Sequence, residues 1–355
     1  MMPPAEVSVA DSLASWLATN SAVPGMIVLV RDGAGEVSAA AGFADRDRIE
    51  RISSAHVFRI ASNTKTFVSV ATMKLVEVGA LVLDDPVANL LPPEVRSLLA
   101  RRYDLGAITL RMLLQHTSGI ASHDAGSHNG TSPYLDASEA NPTHRWTAID
   151  QITFSVEHFA PTHPPGGSML YTDTGYVVLG RILEHLTGAS LSSVVREHCR
   201  LDELGLTSTW WERFEPQPSP QPPRARVQLG DEDWEAVDCS IDLYGGGGLV
   251  SSVTDLTTWW RALFHDEILQ PETLASMLSP LVPSDESHGN AGLGVFRRSM
   301  AGRMWWTHSG YWGSIVLHDP TTDLTLTAFR NQSDVRTAAL EPTYTAILDA
   351  VRSRM

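Results

Sequence analysis

Ser62 and Lys65 are the first residues that could do chemistry, because Lys65 is one of only two lysines among 26 basic residues. The residues that follow have helical spacing, so a helix beginning near Ser62 would place the hydroxyl and the amine on one face. A serine hydroxyl is a poor nucleophile at neutral pH unless a neighbouring group takes its proton. A lysine can do this directly, or it can hold another base ionised. The pair alone is also compatible with an ordinary helix start, with Ser62 as the cap and Lys65 in solvent.

The composition narrows the class of protein. The chain has 355 residues, 43% hydrophobic and 19% charged, enough for one large domain or two intimate domains with a real core. Its net charge of −15 argues against nucleic acid and anionic membranes as partners. Cys199 and Cys239 lack a metal-type spacing and predict reduced thiols. No apolar run reaches membrane-spanning length and no signal peptide is evident, so the expected location is cytoplasmic.

Strand patterns occur at both ends of the chain. The run from Gly25 to Arg31 and the run from Glu36 to Phe43 predict a hairpin. Near the other end, four strand-like runs precede a closing helix; they cover residues 292–296, 304–307, 314–318 and 324–329, and the helix covers 335–352. The pattern predicts an α+β fold, in which an antiparallel sheet with N- and C-terminal helices is interrupted by a large, mostly helical insertion.

The predicted organisation has two parts. Residues 1–61 and 243–355 would form the discontinuous sheet domain and residues 62–242 the helical domain, with the active site at their junction. Asp173, Ser190 and Ser252 are candidate starts of helices. Two stretches, 121–144 and the proline-rich 216–224, are expected to be irregular.

Further motifs change the interpretation of Ser62 and Lys65. They are Tyr171-Thr172-Asp173, Thr307-His308-Ser309-Gly310-Tyr311, the glycine-rich run Gly245 to Ser252, and the run Leu113 to Ile120. In type and order they resemble landmarks of the serine β-lactamase and penicillin-binding-protein superfamily. The resemblance covers nearly the whole chain and points to the branch that contains class C β-lactamases, D-Ala-D-Ala carboxypeptidases, D-amino-acid amidases and esterases.

The resemblance implies a serine hydrolase that forms an acyl-enzyme. Ser62 would attack the acyl carbon, and Tyr171, its phenolate favoured by Lys65, would be the general base and later protonate the leaving group. The backbone N–H groups of Ser62 and Tyr311 would form the oxyanion hole. His308 would orient the substrate or the hydroxyl relay. Asp173, Ser309, Gly310 and Trp312 complete the expected substrate-binding set.

Two positions depart from the β-lactamase pattern. Asp173 replaces an asparagine, and an ionised carboxylate can only accept hydrogen bonds, so it is expected to pair with Lys65 and keep it charged. His308 replaces a lysine, which removes a fixed charge that would attract a substrate carboxylate. The sequence therefore predicts small ester or amide substrates that are neutral or bear an amine, with esters and D-amino-acid amides as the leading classes.

Other functions stay open at this point. A β-lactamase or D-Ala-D-Ala carboxypeptidase is the alternative within the class, and an acyltransferase or an inactive binding or sensor module is the alternative outside hydrolysis. No cofactor is expected, and no metal, since His123, Asp124 and His128 lie in a loop without ligand spacing. An α/β-hydrolase is excluded because the chain lacks a Gly-x-Ser-x-Gly elbow. The expected partner is a small molecule, and the sequence does not predict the oligomeric state.

Overall fold

The computed structural model describes residues 9–20, 23–126, 132–230, 232–284, 289–333 and 337–352. In chain order the helices are α1 (Val9–Thr19), α2 (Thr64–Glu77), α3 (Pro93–Leu99), α4 (Leu110–Leu114), α5 (Pro133–Ala140), α6 (Ala148–His158), α7 (Asp173–Thr187), α8 (Leu191–His198), α9 (Val253–Phe264), α10 (Pro271–Leu278) and α11 (Thr337–Arg352). The strands are β1 (Gly25–Arg31), β2 (Glu36–Gly42), β3 (Val57–Arg59), β4 (Trp210–Trp211), β5 (Gln228–Leu229), β6 (Glu232–Asp233), β7 (Leu249–Ser252), β8 (Asn290–Ala291), β9 (Phe296–Met300), β10 (Arg303–Ser309), β11 (Ser314–Asp319) and β12 (Leu324–Arg330).

The main sheet joins the two ends of the chain. Its seven strands lie in the order β2-β1-β12-β11-β10-β9-β8, and all neighbours are antiparallel. Successive side chains of β1 alternate between two cores: Val28 belongs to the cluster that contains Tyr344 of α11, whereas Leu29 belongs to the cluster that contains Trp259 of α9. The predicted α+β architecture is confirmed, while the division into two domains stays a prediction.

A second, three-stranded sheet leads directly to Ser62. Its order is β3-β7-β4, and Arg59 at the end of β3 lies opposite Val250 of β7. The glycine-rich run Gly245–Gly248 enters β7, so this small sheet brings that run beside the start of α2. The backbone N–H of Ile60 donates to the carbonyl of Leu249 at 3.0 Å and continues the pairing towards Ser62.

Most predicted helix starts agree with the structure, within a residue. Ser190 and Ser252 cap α8 and α9 through their side chains, as predicted. The cap of α7 is Thr172, one residue before the predicted start at Asp173. None of the helices in the described ranges is long and apolar enough to cross a bilayer.

Two predicted boundaries were wrong. The stretch 121–144 contains α5, which starts at Pro133 and is anchored because the ring of Tyr134 is buried among the helices. The strand expected over 292–296 begins only at Phe296, because Gly294 adopts a φ of +75° and turns the chain. Burial and turn geometry outweighed local composition in both places.

Candidate active site

The turn that carries Ser62 is held from the main sheet. Residues Ala61–Asn63 form one 3-10 turn between β3 and α2, and Ala61 has a φ of +46°, which is uncommon for a residue with a side chain. Ser314 of β11 donates from its hydroxyl to the Ile60 carbonyl at 2.8 Å and accepts from the Asn63 side-chain amide at 2.9 Å. These contacts support a strained backbone conformation at the nucleophile.

Lys65 is fully buried and makes three hydrogen bonds. Its Nζ donates to Ser62 Oγ at 2.9 Å, to the Gly246 carbonyl at 2.6 Å and to Asp173 Oδ1. Burial alone would lower the pKa of Lys65, but the surrounding acidic groups, of which Asp173 has the largest effect, together outweigh burial and the pKa is raised. Lys65 is therefore an ammonium group at neutral pH and cannot accept a proton from Ser62.

Asp173 is the counterion of Lys65. It is the first residue of α7, and its own N–H donates to Ser122 Oγ at 2.8 Å. Burial raises the pKa of the Asp173 carboxyl, yet the charge and hydrogen bond of Lys65, together with the other neighbouring groups, more than compensate, and the pKa lies below its usual value. The structure therefore contains the ionised Lys65–Asp173 pair expected from the sequence.

Tyr171 lies against this pair, with Lys65 Nζ 4.9 Å from its ring centre. Burial raises the pKa of the Tyr171 hydroxyl, and the opposing effects of the nearby Lys65 and Ser62 do not cancel it. Tyr171 is thus a neutral phenol near pH 7. Lys65 lowers this pKa, which is the direction expected from the sequence, but burial has the larger effect.

The end of β10 brings the other expected residues to the Ser62 turn. His308 is buried, its Nδ1–H donates to the Ser309 carbonyl at 2.9 Å, and its ring centre is 6.3 Å from that of Tyr171. Gly310 donates from its N–H to the Ser314 carbonyl at 2.7 Å, and a side chain there would collide with Ile60. The lack of a side chain allows β10 to approach the nucleophile.

Tyr311 and Trp312 have different environments. The Tyr311 side chain is 41% exposed, whereas Trp312 is buried and packs against Trp234 at 5.7 Å between ring centres. The rings of Tyr311 and Trp312 pack edge to face, with their centres 4.9 Å apart. The exposed Tyr311 ring can therefore contact a ligand that enters from solvent, whereas the buried Trp312 ring supports the end of the strand from the protein interior. Their contacts with substrate stay predictions.

Two more carboxyl groups surround the pair, and sequence reasoning missed their part in the site. Asp124 accepts from the Ser122 hydroxyl, and burial raises its pKa to about 7. Asp242 packs against Gly247, where a side chain would collide with the carboxylate, and burial raises its pKa to about 7 as well. The charge of Asp173 adds to both shifts. The site therefore carries more acidic groups than basic ones.

The loop histidines do not form a metal site in the described part of the chain. His123 contacts the Thr174 hydroxyl through Nδ1 at 3.1 Å, and burial lowers its pKa to about 4. His128 lies outside the described residues. Within the described ranges, no group of three or more histidine, cysteine or acidic side chains is arranged to hold a metal ion.

Known proteins share this sequence pattern and architecture. Residues 11–350 match the family model described as Beta-lactamase. The D-alanyl-D-alanine-carboxypeptidase/endopeptidase AmpH of Escherichia coli (strain K12) is 23% identical over 274 residues, which are 77% of this chain and 66% of AmpH. The chain spans between about one third and two thirds of the length of the curated relatives it matches.

Two solved structures match over nearly all of the chain. The D-amino acid amidase from Ochrobactrum anthropi SV3, complexed with D-phenylalanine, superimposes with a TM-score of 0.82 at 23% identity, over 98% of each chain. EstCE1, a hydrolase with promiscuous acyltransferase activity, superimposes with a TM-score of 0.76 at 21% identity, over 97% of each chain. These likenesses show the fold. The family match over residues 11–350, together with the site around Ser62, shows that this chain belongs to the beta-lactamase family of serine hydrolases.

Proposed function

We propose that the protein hydrolyses an ester or amide bond in a small substrate through an acyl-Ser62 intermediate, and that its substrates are neutral or amine-bearing esters and D-amino-acid amides. The observation that carries the proposal is the placement of Lys65 Nζ between Ser62 Oγ and Asp173. A buried ammonium 2.9 Å from a serine hydroxyl stabilises negative charge that develops on that oxygen during attack.

Tyr171 is proposed to move the proton as a neutral relay. Ser62 Oγ bonds to the acyl carbon and gives its proton to the Tyr171 oxygen, while Tyr171 gives its own proton to the leaving nitrogen or oxygen. The bond from the acyl carbon to the leaving group then breaks. In deacylation the oxygen of a water molecule bonds to the acyl carbon and its proton passes to Tyr171, while the Tyr171 proton returns to Ser62 Oγ. The bond between the acyl carbon and Ser62 Oγ then breaks and the carboxylic acid is released. The relay needs no free phenolate, which agrees with the raised pKa of the Tyr171 hydroxyl.

The acyl oxygen is proposed to bind between the backbone N–H groups of Ser62 and Tyr311. Gly310 allows the end of β10 to lie against Ile60, two residues before Ser62, so the two N–H groups belong to segments in direct contact. His308, Ser309 and Trp312 are assigned to substrate positioning along the same strand end. Donors that are fixed before the reaction stabilise the oxyanion at little reorganisation cost.

The charge balance supports the proposed substrate class. Asp173 neutralises Lys65, and the pKa values of the neighbouring Asp124 and Asp242 carboxyls are raised to about 7, so both are only partly ionised at neutral pH. The Lys65–Asp173 pair therefore offers no net positive charge to a substrate carboxylate, and the partial negative charge beside it favours an ammonium group over a carboxylate. β-Lactams and D-Ala-D-Ala peptides carry a carboxylate beside the reacting bond, so they are expected to be poorer substrates.

Intact-mass measurement after brief exposure to nitrophenyl esters, D- and L-amino-acid amides and nitrocefin tests the proposal. Wild type should gain the acyl mass or release product, and Ser62→Ala should do neither. Ser69→Ala is a matched control, because Ser69 lies on α2, directly after the turn that carries Ser62, and its hydroxyl contacts Tyr176 rather than Lys65. A Ser62→Ala variant that turns over substrate as wild type does, or nitrocefin turnover equal to the best ester or D-amide rate, would contradict the proposal.

A further inference from the structure

His116 is a buried histidine that the proposed reaction does not use directly. It follows α4 and adopts a φ of +58°, in the left-handed region where histidine is found more often than most residues with side chains. The side chain is 1% exposed. A buried imidazole must be desolvated, and an apolar ring of the same size would avoid that cost. Its hydrogen bonds therefore indicate why a histidine lies there.

Those hydrogen bonds bracket Tyr171. The N–H of Leu170 donates to the His116 carbonyl at 2.9 Å, and the N–H of Thr172 donates to His116 Nδ1 at 3.1 Å. The residue before Tyr171 and the residue after it are thus both tied to one histidine. Because Nδ1 is an acceptor, the neutral ring of His116 carries its proton on Nε2.

The His116 ring also contacts the Tyr171 ring. The two rings stack with their centres 4.4 Å apart and 24° between their planes. Main-chain bonds on both sides and a stacked ring leave Tyr171 little freedom to tilt or shift. Two further main-chain hydrogen bonds join the segment that follows His116 to the segment that precedes Tyr171. The N–H of Gly166 donates to the Thr117 carbonyl at 2.8 Å, and the N–H of Thr162 donates to the Gly119 carbonyl at 3.0 Å.

We propose that His116 is a positioning residue, which holds the Tyr171 hydroxyl in line between Ser62 and the leaving group through its Nδ1 acceptor and its stacked ring. The inference rests on the proposed role of Tyr171 in proton transfer. A relay that both accepts and donates a proton depends on the position of one oxygen. A displacement of about 1 Å can reduce a rate by roughly 100-fold.

Two substitutions test the Nδ1 acceptor of His116 and its stacked ring one at a time. His116→Phe keeps a ring and loses the acceptor, whereas His116→Asn keeps an acceptor near the Nδ1 position, tolerates positive φ and loses the ring. For an ester with a poor leaving group, we expect His116→Phe to lower kcat about 10- to 100-fold with KM within about threefold, as for misplaced catalytic groups. We expect His116→Asn to recover most of that loss.

His318→Phe is the matched control. His318 is buried in β11, and its Nδ1 contacts Thr325, away from Ser62. Its substitution should lower the melting temperature and leave kcat unchanged. Melting curves of the His116 variants then show whether a kcat loss reflects unfolding.

A double-mutant cycle with Tyr171→Phe shows whether His116 acts through Tyr171. If it does, His116→Phe should change the residual rate of Tyr171→Phe by less than about twofold, because the group being positioned is absent. The inference would be overturned if His116→Phe lowered kcat equally in the wild-type and the Tyr171→Phe backgrounds. It would also be overturned if His116→Phe kept the wild-type kcat while Tyr171→Phe was impaired. Wild-type turnover by Tyr171→Phe would overturn the relay and the inference together, whereas the acyl-Ser62 intermediate is tested separately by Ser62→Ala.

Discussion

Replacing Asp173 with asparagine removes the counterion of a fully buried ammonium group. Lys65 has no exposed side-chain surface, and its bonds to Ser62 Oγ and to the Gly246 carbonyl do not neutralise its charge. Removing one partner of a buried ion pair costs about 3 to 5 kcal/mol of unfolding free energy. We expect Asp173→Asn to lose an amount in this range at pH 5.

The unfolding free energy that Asp173→Asn loses should become smaller as the pH rises. In the wild type the pKa values of Asp124 and Asp242 are raised to about 7, partly by the charge of Asp173, so the folded protein holds protons that the unfolded chain has released. The contribution of these two carboxyls to the free energy of unfolding therefore falls as the pH rises from about 4 to about 7. In Asp173→Asn these carboxyls ionise more readily and replace the missing charge. At pH 8 we expect a loss of roughly 2 kcal/mol, about half of that at pH 5.

Urea unfolding followed by the fluorescence of the 10 tryptophans, at pH 5 and pH 8, measures both losses. Asp173 itself has a lowered pKa, so its own contribution persists across this range and disappears only in stronger acid. The double variant Lys65→Met/Asp173→Asn is the control, because it removes the unpaired ammonium and should recover most of the stability. A loss below about 1 kcal/mol at pH 5, or no recovery in the double variant, would refute this account of the site.

Three further outcomes follow from the geometry. Tyr171→Phe should lower kcat for an amide by about 100-fold or more but affect a nitrophenyl ester less, because nitrophenolate leaves without a proton; equal losses in steady-state assays would argue against the relay. Lys65→Arg should lower kcat at least about 10-fold, since a planar guanidinium cannot make the same three contacts, and unchanged kinetics would contradict the role assigned to the ammonium. Gly247→Ala should lower the melting temperature because the added carbon collides with the Asp242 carboxylate, and Gly247→Ala in an Asp242→Gly background should lose less.

Periodicity and motif order carried much of the sequence interpretation. The alternating runs at the two chain ends predicted the main sheet, because each strand buries residues on opposite faces. The pairing of Lys65 with Asp173 followed from the family resemblance, which assigns both motifs to one site, and from their opposite charges, which favour a buried pair.

The remaining parts of the site depend on tertiary packing. Asp242 precedes the glycine run without any local pattern, and its place beside Lys65 results from the folding of α6 and β4 around it: Gln151 donates to the Ile241 carbonyl at 3.0 Å and Trp211 to the Leu243 carbonyl at 2.8 Å. Gly246 accepts the Lys65 hydrogen bond through its main-chain carbonyl, and because every residue has such a carbonyl, the residue type does not predict this contact. The raised pKa of the Tyr171 hydroxyl depends on burial, which local sequence does not reveal.

The pairing of β1 with β12 has a consequence for biosynthesis. Met26 lies opposite Arg330, so β1 has no partner on this side until β12 has been made. At about 5 to 20 residues per second, the delay is on the order of 15 to 60 s. Throughout it, the apolar strand Gly25–Arg31 has only β2 beside it. An unpaired apolar strand edge favours aggregation, so we expect ribosome-associated chaperones to raise the yield of folded protein without changing its free energy of unfolding.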